Sequence, residues 1–141
     1  MYFDTAYIAK FYLNEPDSAA VRALVEAAGN LYSSLWAVAE FHGVLHRRIR
    51  EGSLTAALAS QLADRFAEHR TQGLWNLVAV SESLVQRTGS ALLSLPAGVF
   101  IRTGDAVHLA TAREIGEREV WTNDRHMLAA APHFGLAGRS V

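Results

Sequence analysis

The stretch RTGDAVHLATAREIGEREVWTND, residues 102–124, joins a helical pattern to a short strand and carries an acid at each of two junctions. The spacing predicts a helix over 105–118 with Asp105 at its head, a strand in EVWT, and a helix over 124–131 that Asp124 opens and Pro132 stops. The same alternation runs outward through the chain. MYF reads as an opening strand with Asp4 at its exit, LYSS follows Gly29-Asn30, LWNLVAV follows Gly73, and a weaker strand lies in GLAGRSV. Helices are predicted over 17–28 from the start signal Pro16-Asp17-Ser18, over 35–51, over 54–72 from the cap candidate Ser53, and over 82–94 before Pro96. Strands alternating with helices predict an α/β fold with a mostly parallel sheet. The least regular stretch, SLPAGVFIRTG at 94–104, leads directly into Asp105.

At 141 residues, half of them hydrophobic and 19% charged, the chain is expected to form one globular domain spanning 1–141. No apolar run approaches the roughly 18 residues of a membrane span. Asp4 and Lys10 interrupt the first apolar stretch, which does not fit a signal peptide, and a cytoplasmic location is compatible with this. There is no cysteine, so thiol nucleophiles, disulfides and Cys-type zinc sites are excluded together. The net charge of −1 leaves nucleic-acid binding to a local patch, and HRRIR, with Arg47, Arg48 and Arg50, is the one obvious cluster.

Parallel α/β sheets collect strand exits and helix starts at one edge, where ligands bind. Asp4, Asp105 and Asp124 all fall at such points. Glu40 lies within the helix LWAVAEFHGVLHRRIR, whose neighbours Ala37, Phe41 and Val44 belong to the apolar face, so it flanks the buried stripe. Carboxylates gathered at one edge repel unless a divalent cation sits among them, which points to metal-dependent phosphodiester chemistry. Each acid also has a structural role open to it: Asp4, Asp105 and Asp124 as helix caps, Glu40 as a surface residue. Arg47 lies about 10 Å beyond Glu40 on nearly the same face, suited to a phosphate or to the negative helix end. The helix end alone accounts for Arg48 and Arg50. His42 and His46 lack the adjacent Glu of a zincin and point away from Glu40. His108 falls one turn after Asp105 and reads first as a packed residue. Thr5, Thr122 and Asn123 flank the aspartates as hydrogen-bonding or turn residues.

These pieces resemble the PIN-domain family. MYFDTAYIAKFYLNEP is similar to the family's opening, SSLWAVAEFHGVLHRR to its helix with the second acid, RTGDAVHLATAREIG to its Asp-Ala-x-His-x-x-x-Ala helix, and VWTNDRHML to its final Thr-x-Asp. A chain of this size looks most like a VapC-type toxin of a toxin–antitoxin pair. The resemblance implies a central parallel sheet of about five strands with helices on both faces. It implies a ribonuclease using one or two Mg²⁺ or Mn²⁺ ions held by Asp4, Glu40, Asp105 and Asp124, with Thr122 as the polar residue before the last acid. Arg47 and Arg48 are candidates for RNA binding. An antitoxin that lays a segment across the groove is implied as partner, and association as a homodimer is expected, because the helices at 17–28 and 54–72 carry more Ala, Leu and Val than one small core buries.

Other acid-bearing folds fit less well. A receiver domain needs a lysine near its last strand, and Lys10 is the only lysine. A haloacid-dehalogenase-type phosphatase needs Asp-x-Asp where Asp4 is followed by Thr5 and Ala6. Dinucleotide and P-loop motifs are absent. Two alternatives stay open: a housekeeping PIN nuclease of RNA processing, and a catalytically silent PIN scaffold that binds RNA or protein.

Overall fold

The computed structural model describes residues 1–141. Five short strands, β1 (Tyr2–Phe3), β2 (Tyr32–Ser34), β3 (Asn76–Val78), β4 (Glu119–Trp121) and β5 (Ala137–Arg139), form one parallel sheet in the order β3-β2-β1-β4-β5. In the register Tyr2 stands beside Tyr32 and Val120, and Phe3 beside Trp121. The connections carry helices α1 (Thr5–Tyr12), α2 (Ser18–Ala27), α3 (Ala37–Arg50), α4 (Ala56–Thr71), α5 (Glu82–Ser94), α6 (Thr103–Glu114) and α7 (Arg125–Ala130), with a 3₁₀ turn at Ala131–Phe134.

Strand alternation divides the core. Successive residues of a strand face opposite sides, and Tyr2 and Phe3 are both fully buried. Phe3 packs with Tyr7, Ile8, Phe41, Phe66 and Trp75, drawn from α1, α3, α4 and the approach to β3. Tyr2 packs with Leu84, Leu109, Val120, Met127 and Phe134, which brings α5, α6 and α7 to the other face. The sheet is therefore covered on both sides, as parallel sheets require. No helix is long and apolar enough to cross a membrane.

The structure corrects several predicted boundaries. The helix placed at 105–118 runs from Thr103 to Glu114, because the chain turns at Gly116 with φ 78°. Glycine holds that left-handed conformation without steric cost. Its start two residues earlier puts Asp105 inside the first turn, and Arg102 takes the cap position without a side-chain hydrogen bond. Thr55, not Ser53, caps α4 by accepting from the Leu58 amide at 3.2 Å. The Ser53 hydroxyl instead donates to the Arg48 carbonyl, closing the α3–α4 turn. The strand in LWNLVAV pairs only over Asn76–Val78, matching the three residues that β2 offers.

Candidate active site

The strand order reverses between β1 and β4. The chain leaves β1 into α1 on one face and leaves β4 into α7 on the other, so a crevice opens between the two exits. Asp4 and Asp124 stand at those exits, Glu40 comes from α3 and Asp105 from α6. All four line one cavity of 340 Å³, with His108, Arg47 and Arg102 on its walls.

Asp4 is buried and caps α1. Its Oδ1 accepts from the Tyr7 amide at 2.9 Å and its Oδ2 from the Thr122 hydroxyl at 2.5 Å. Burial dominates over these bonds and pushes its carboxyl up to about 6. Thr122, fully buried, also accepts the Asp124 amide at 2.9 Å and so ties the two strand-exit acids together. Asp124 caps α7, its Oδ1 taking the amides of His126 at 2.7 Å and Met127 at 3.2 Å.

Glu40 is held by three side chains. Thr5 donates to its Oε2 at 2.5 Å, His108 Nε2 lies 2.9 Å from the same oxygen, and Trp36 Nε1 donates to Oε1 at 3.1 Å. Burial pushes the Glu40 carboxyl up, but the bonds and charge from His108, with Thr5 and Trp36, outweigh it and hold it below its ordinary value. His108 is 1% exposed and its Nδ1 lies 3.0 Å from the Tyr2 hydroxyl. The packed-residue reading of His108 is met, and the histidine is also bound to an acid of the site.

Asp105 differs from the other three. Its Oδ2 is enclosed and has no hydrogen-bond partner. Burial first, then the negative charges of Asp124 and Glu40, raise its carboxyl, and Arg102 and His108 offset this in part. The cap role open to Asp4 and Asp124 is realised; for Asp105 it is not.

No three of the acids stand as a ready-made ligand set for one ion. What the structure brings together is one cavity shared by all four. Asp4, Glu40 and Asp124 each accept hydrogen bonds from neighbouring donors. The residues nonetheless fit a hard divalent cation. The donors are carboxylate oxygens with no cysteine, and Asp105 presents an enclosed oxygen that lacks any donor.

Arg47 lines the cavity with its side chain 60% exposed and only a 4.0 Å contact to Glu51. Arg48 does not; it pairs with Glu15 and, at 3.7 Å, with Glu51 beside Leu54 and Leu58. Of the two RNA-binding candidates, the structure places Arg47 on the cavity and Arg48 away from it. Asn123 turns to Tyr7 and Asp17, and His42 to its own helix backbone. Sequence reasoning missed Arg102 and Trp36. Arg102 ends the irregular loop before Asp105, which was the one available signal. For Trp36 the signal was its place four residues before Glu40 at the start of α3.

A PIN domain family model matches residues 1–132, and the chain belongs to the PIN domain family. Mycobacterium tuberculosis VapC20, described as a sarcin-ricin loop cleaving toxin, has a similar structure with a TM-score of 0.74 at 18% identity, over 92% of this chain and 93% of that one. FitAB bound to an IR36 DNA fragment gives 0.72 at 19%, over 99% and 93%. FitAcB from Neisseria gonorrhoeae gives 0.64 at 18%, over 97% and 94%. At these identities the likeness is one of fold. No curated protein matches the chain.

Proposed function

We propose that this chain is a metal-dependent endoribonuclease of one PIN domain and the toxin of a type II toxin–antitoxin pair. The observation that carries the nuclease reading is the enclosed, partnerless Asp105 Oδ2 in a cavity walled by Asp4, Glu40 and Asp124. A group placed this way destabilises the fold unless a ligand answers it. Asp4, Glu40, Asp105 and Asp124 would hold Mg²⁺ or Mn²⁺, one ion or two. The bound cation would supply charge neutralisation and activated water for in-line attack on a phosphodiester, leaving a 5′-phosphate and a 3′-hydroxyl.

The chain's own residues prepare this. Thr5, His108 and Trp36 fix the Glu40 carboxylate and keep it ionised. Thr122 fixes Asp4 and the turn into Asp124. Arg47 and Arg102 offer guanidinium groups to RNA phosphates on the cavity walls. The toxin reading draws on the match in length and fold to VapC20, and on FitAB and FitAcB for a partner protein. The antitoxin would cover the cavity of a homodimeric toxin in the cytoplasm. Purified protein incubated with total RNA in Mn²⁺ or in EDTA tests the reading, with cleavage ends mapped. Cleavage only with Mn²⁺, leaving 5′-phosphates, is expected; cleavage in EDTA or no cleavage in either overturns it.

A further inference from the structure

Trp36 stands one turn before Glu40, and the acid cluster alone does not account for it. Trp36 is 46% exposed, whereas Trp75 is 2% exposed. Its Nε1 donates to Glu40 Oε1 at 3.1 Å. Gly104 of α6 lies against the same pair: a Cβ there would stand 2.7 Å from Glu40 Oε1 and 3.1 Å from Trp36 Nε1. The ring is held at its Nε1 edge by a residue of the cavity, and Trp36 remains among the exposed residues.

Along α3 the order is Trp36, Glu40, Arg47. The helical rise puts Arg47 roughly 16 Å beyond Trp36, with its guanidinium exposed and weakly paired. An aromatic plate at one end, a cation at the other and a carboxylate between them match a nucleic-acid strand with a splayed base and a phosphate further along. A pinned ring also loses little freedom when a base stacks on it. Duplex RNA keeps its base faces inside the helix and offers none to the ring.

We propose that Trp36 is the base-stacking residue of the substrate site, the side chain through which this chain holds an unpaired base beside the bond to be cleaved. This rests on the nuclease reading of the acidic cavity. Trp36 sets specificity for strandedness through its ring face, and it positions Glu40 through its N–H.

The test measures binding in Ca²⁺ to a labelled single-stranded oligoribonucleotide of mixed sequence and to the same strand annealed to its complement. Wild type is expected to prefer the single strand. Trp36→Ala should weaken that binding by about ten-fold and leave duplex binding unchanged. Trp36→Phe keeps a stacking ring without the N–H and should stay within about three-fold of wild type. Indole emission should quench on the single strand in wild type and not in Trp36→Phe. Equal affinities for wild type and Trp36→Ala would overturn the proposal, as would equal losses in the Ala and Phe variants, which would reduce Trp36 to a positioning residue. Trp36→Ala with intact RNA affinity but a smaller oligomer on sizing would make the ring a protein contact and also overturn it. Wild type that neither binds nor cleaves RNA fails the nuclease reading itself; wild type that cleaves RNA while Trp36→Ala binds it normally fails the stacking proposal alone.

Discussion

Asp4 shows how one residue serves the fold and strains it. It caps α1 and accepts from Thr122, yet burial pushes its carboxyl up to about 6 against an ordinary 3.8. A carboxyl whose pKa is raised in the folded state favours folding while it is protonated and opposes it once ionised. Stability in EDTA should therefore fall as pH rises from about 4 to about 6, by an amount on the order of 2 kcal/mol from Asp4. Asp105, shifted in the same direction, adds to the trend. Glu40 is shifted the opposite way, so its contribution is lost only as pH falls through its lowered value. Urea unfolding across this range checks the sign, and a stability that climbs from pH 4 to 6 would contradict it. Asp4→Asn should flatten the dependence, stabilise the metal-free protein at pH 7.5 and abolish RNA cleavage. Retained cleavage at saturating Mn²⁺ would leave Asp4 as a cap alone.

At the scale of elements, the site depends on how closely α3 and α6 approach. Gly104 is the contact: an added Cβ would meet Glu40 Oε1 at 2.7 Å. The Glu40 side chain can swing away, so Gly104→Ala should change the melting temperature by no more than a few degrees. The swing would break the Trp36 and Thr5 bonds and lower cleavage on the order of ten-fold or more. Unchanged cleavage would show that Glu40 tolerates another rotamer. This contact was not legible in the sequence, because Glu40 and Gly104 belong to separate helices and no local pattern joins them. Trp36, by contrast, stands four residues before Glu40, a helical spacing that was there to be read, and Arg102 stands three before Asp105. The alternation of strands and helices was legible because the short apolar runs end at glycines, prolines and caps; the helix predicted over 82–94 before Pro96 forms as Glu82–Ser94, and the structure adds Ser81 as its cap, bonded to the Leu84 amide. The end of α6 was overshot, since only the φ of Gly116 distinguishes a stop from another turn. The four acids were placed at one edge because three mark element junctions and the fourth flanks an apolar stripe. Which donors hold each acid was not readable, because Thr122, His108 and Trp36 reach them only in the folded chain.

For the whole molecule, the sheet brings the β1 and β4 exits together and leaves a cavity that carries both an acid cluster and two arginines. Leu35, Leu58, Val85, Leu93 and Phe100 stay exposed at 41%, 45%, 53%, 92% and 59%. Of these only Leu58 belongs to the helices from which association was expected, since α2 turns Val21 and Val25 into the core; association with itself and with a partner stays a proposal. Light scattering at tens of micromolar should give a dimer mass, and a strict monomer with no co-purifying partner would count against it.

The central claim is that the partnerless carboxylate of Asp105 anchors a divalent cation. Calorimetric titration of Mn²⁺ into wild type and Asp105→Asn at pH 7.5 tests it most directly. The account predicts saturable binding to wild type and at least a ten-fold loss of affinity in a variant that still folds. Equal binding curves for the two proteins would contradict it.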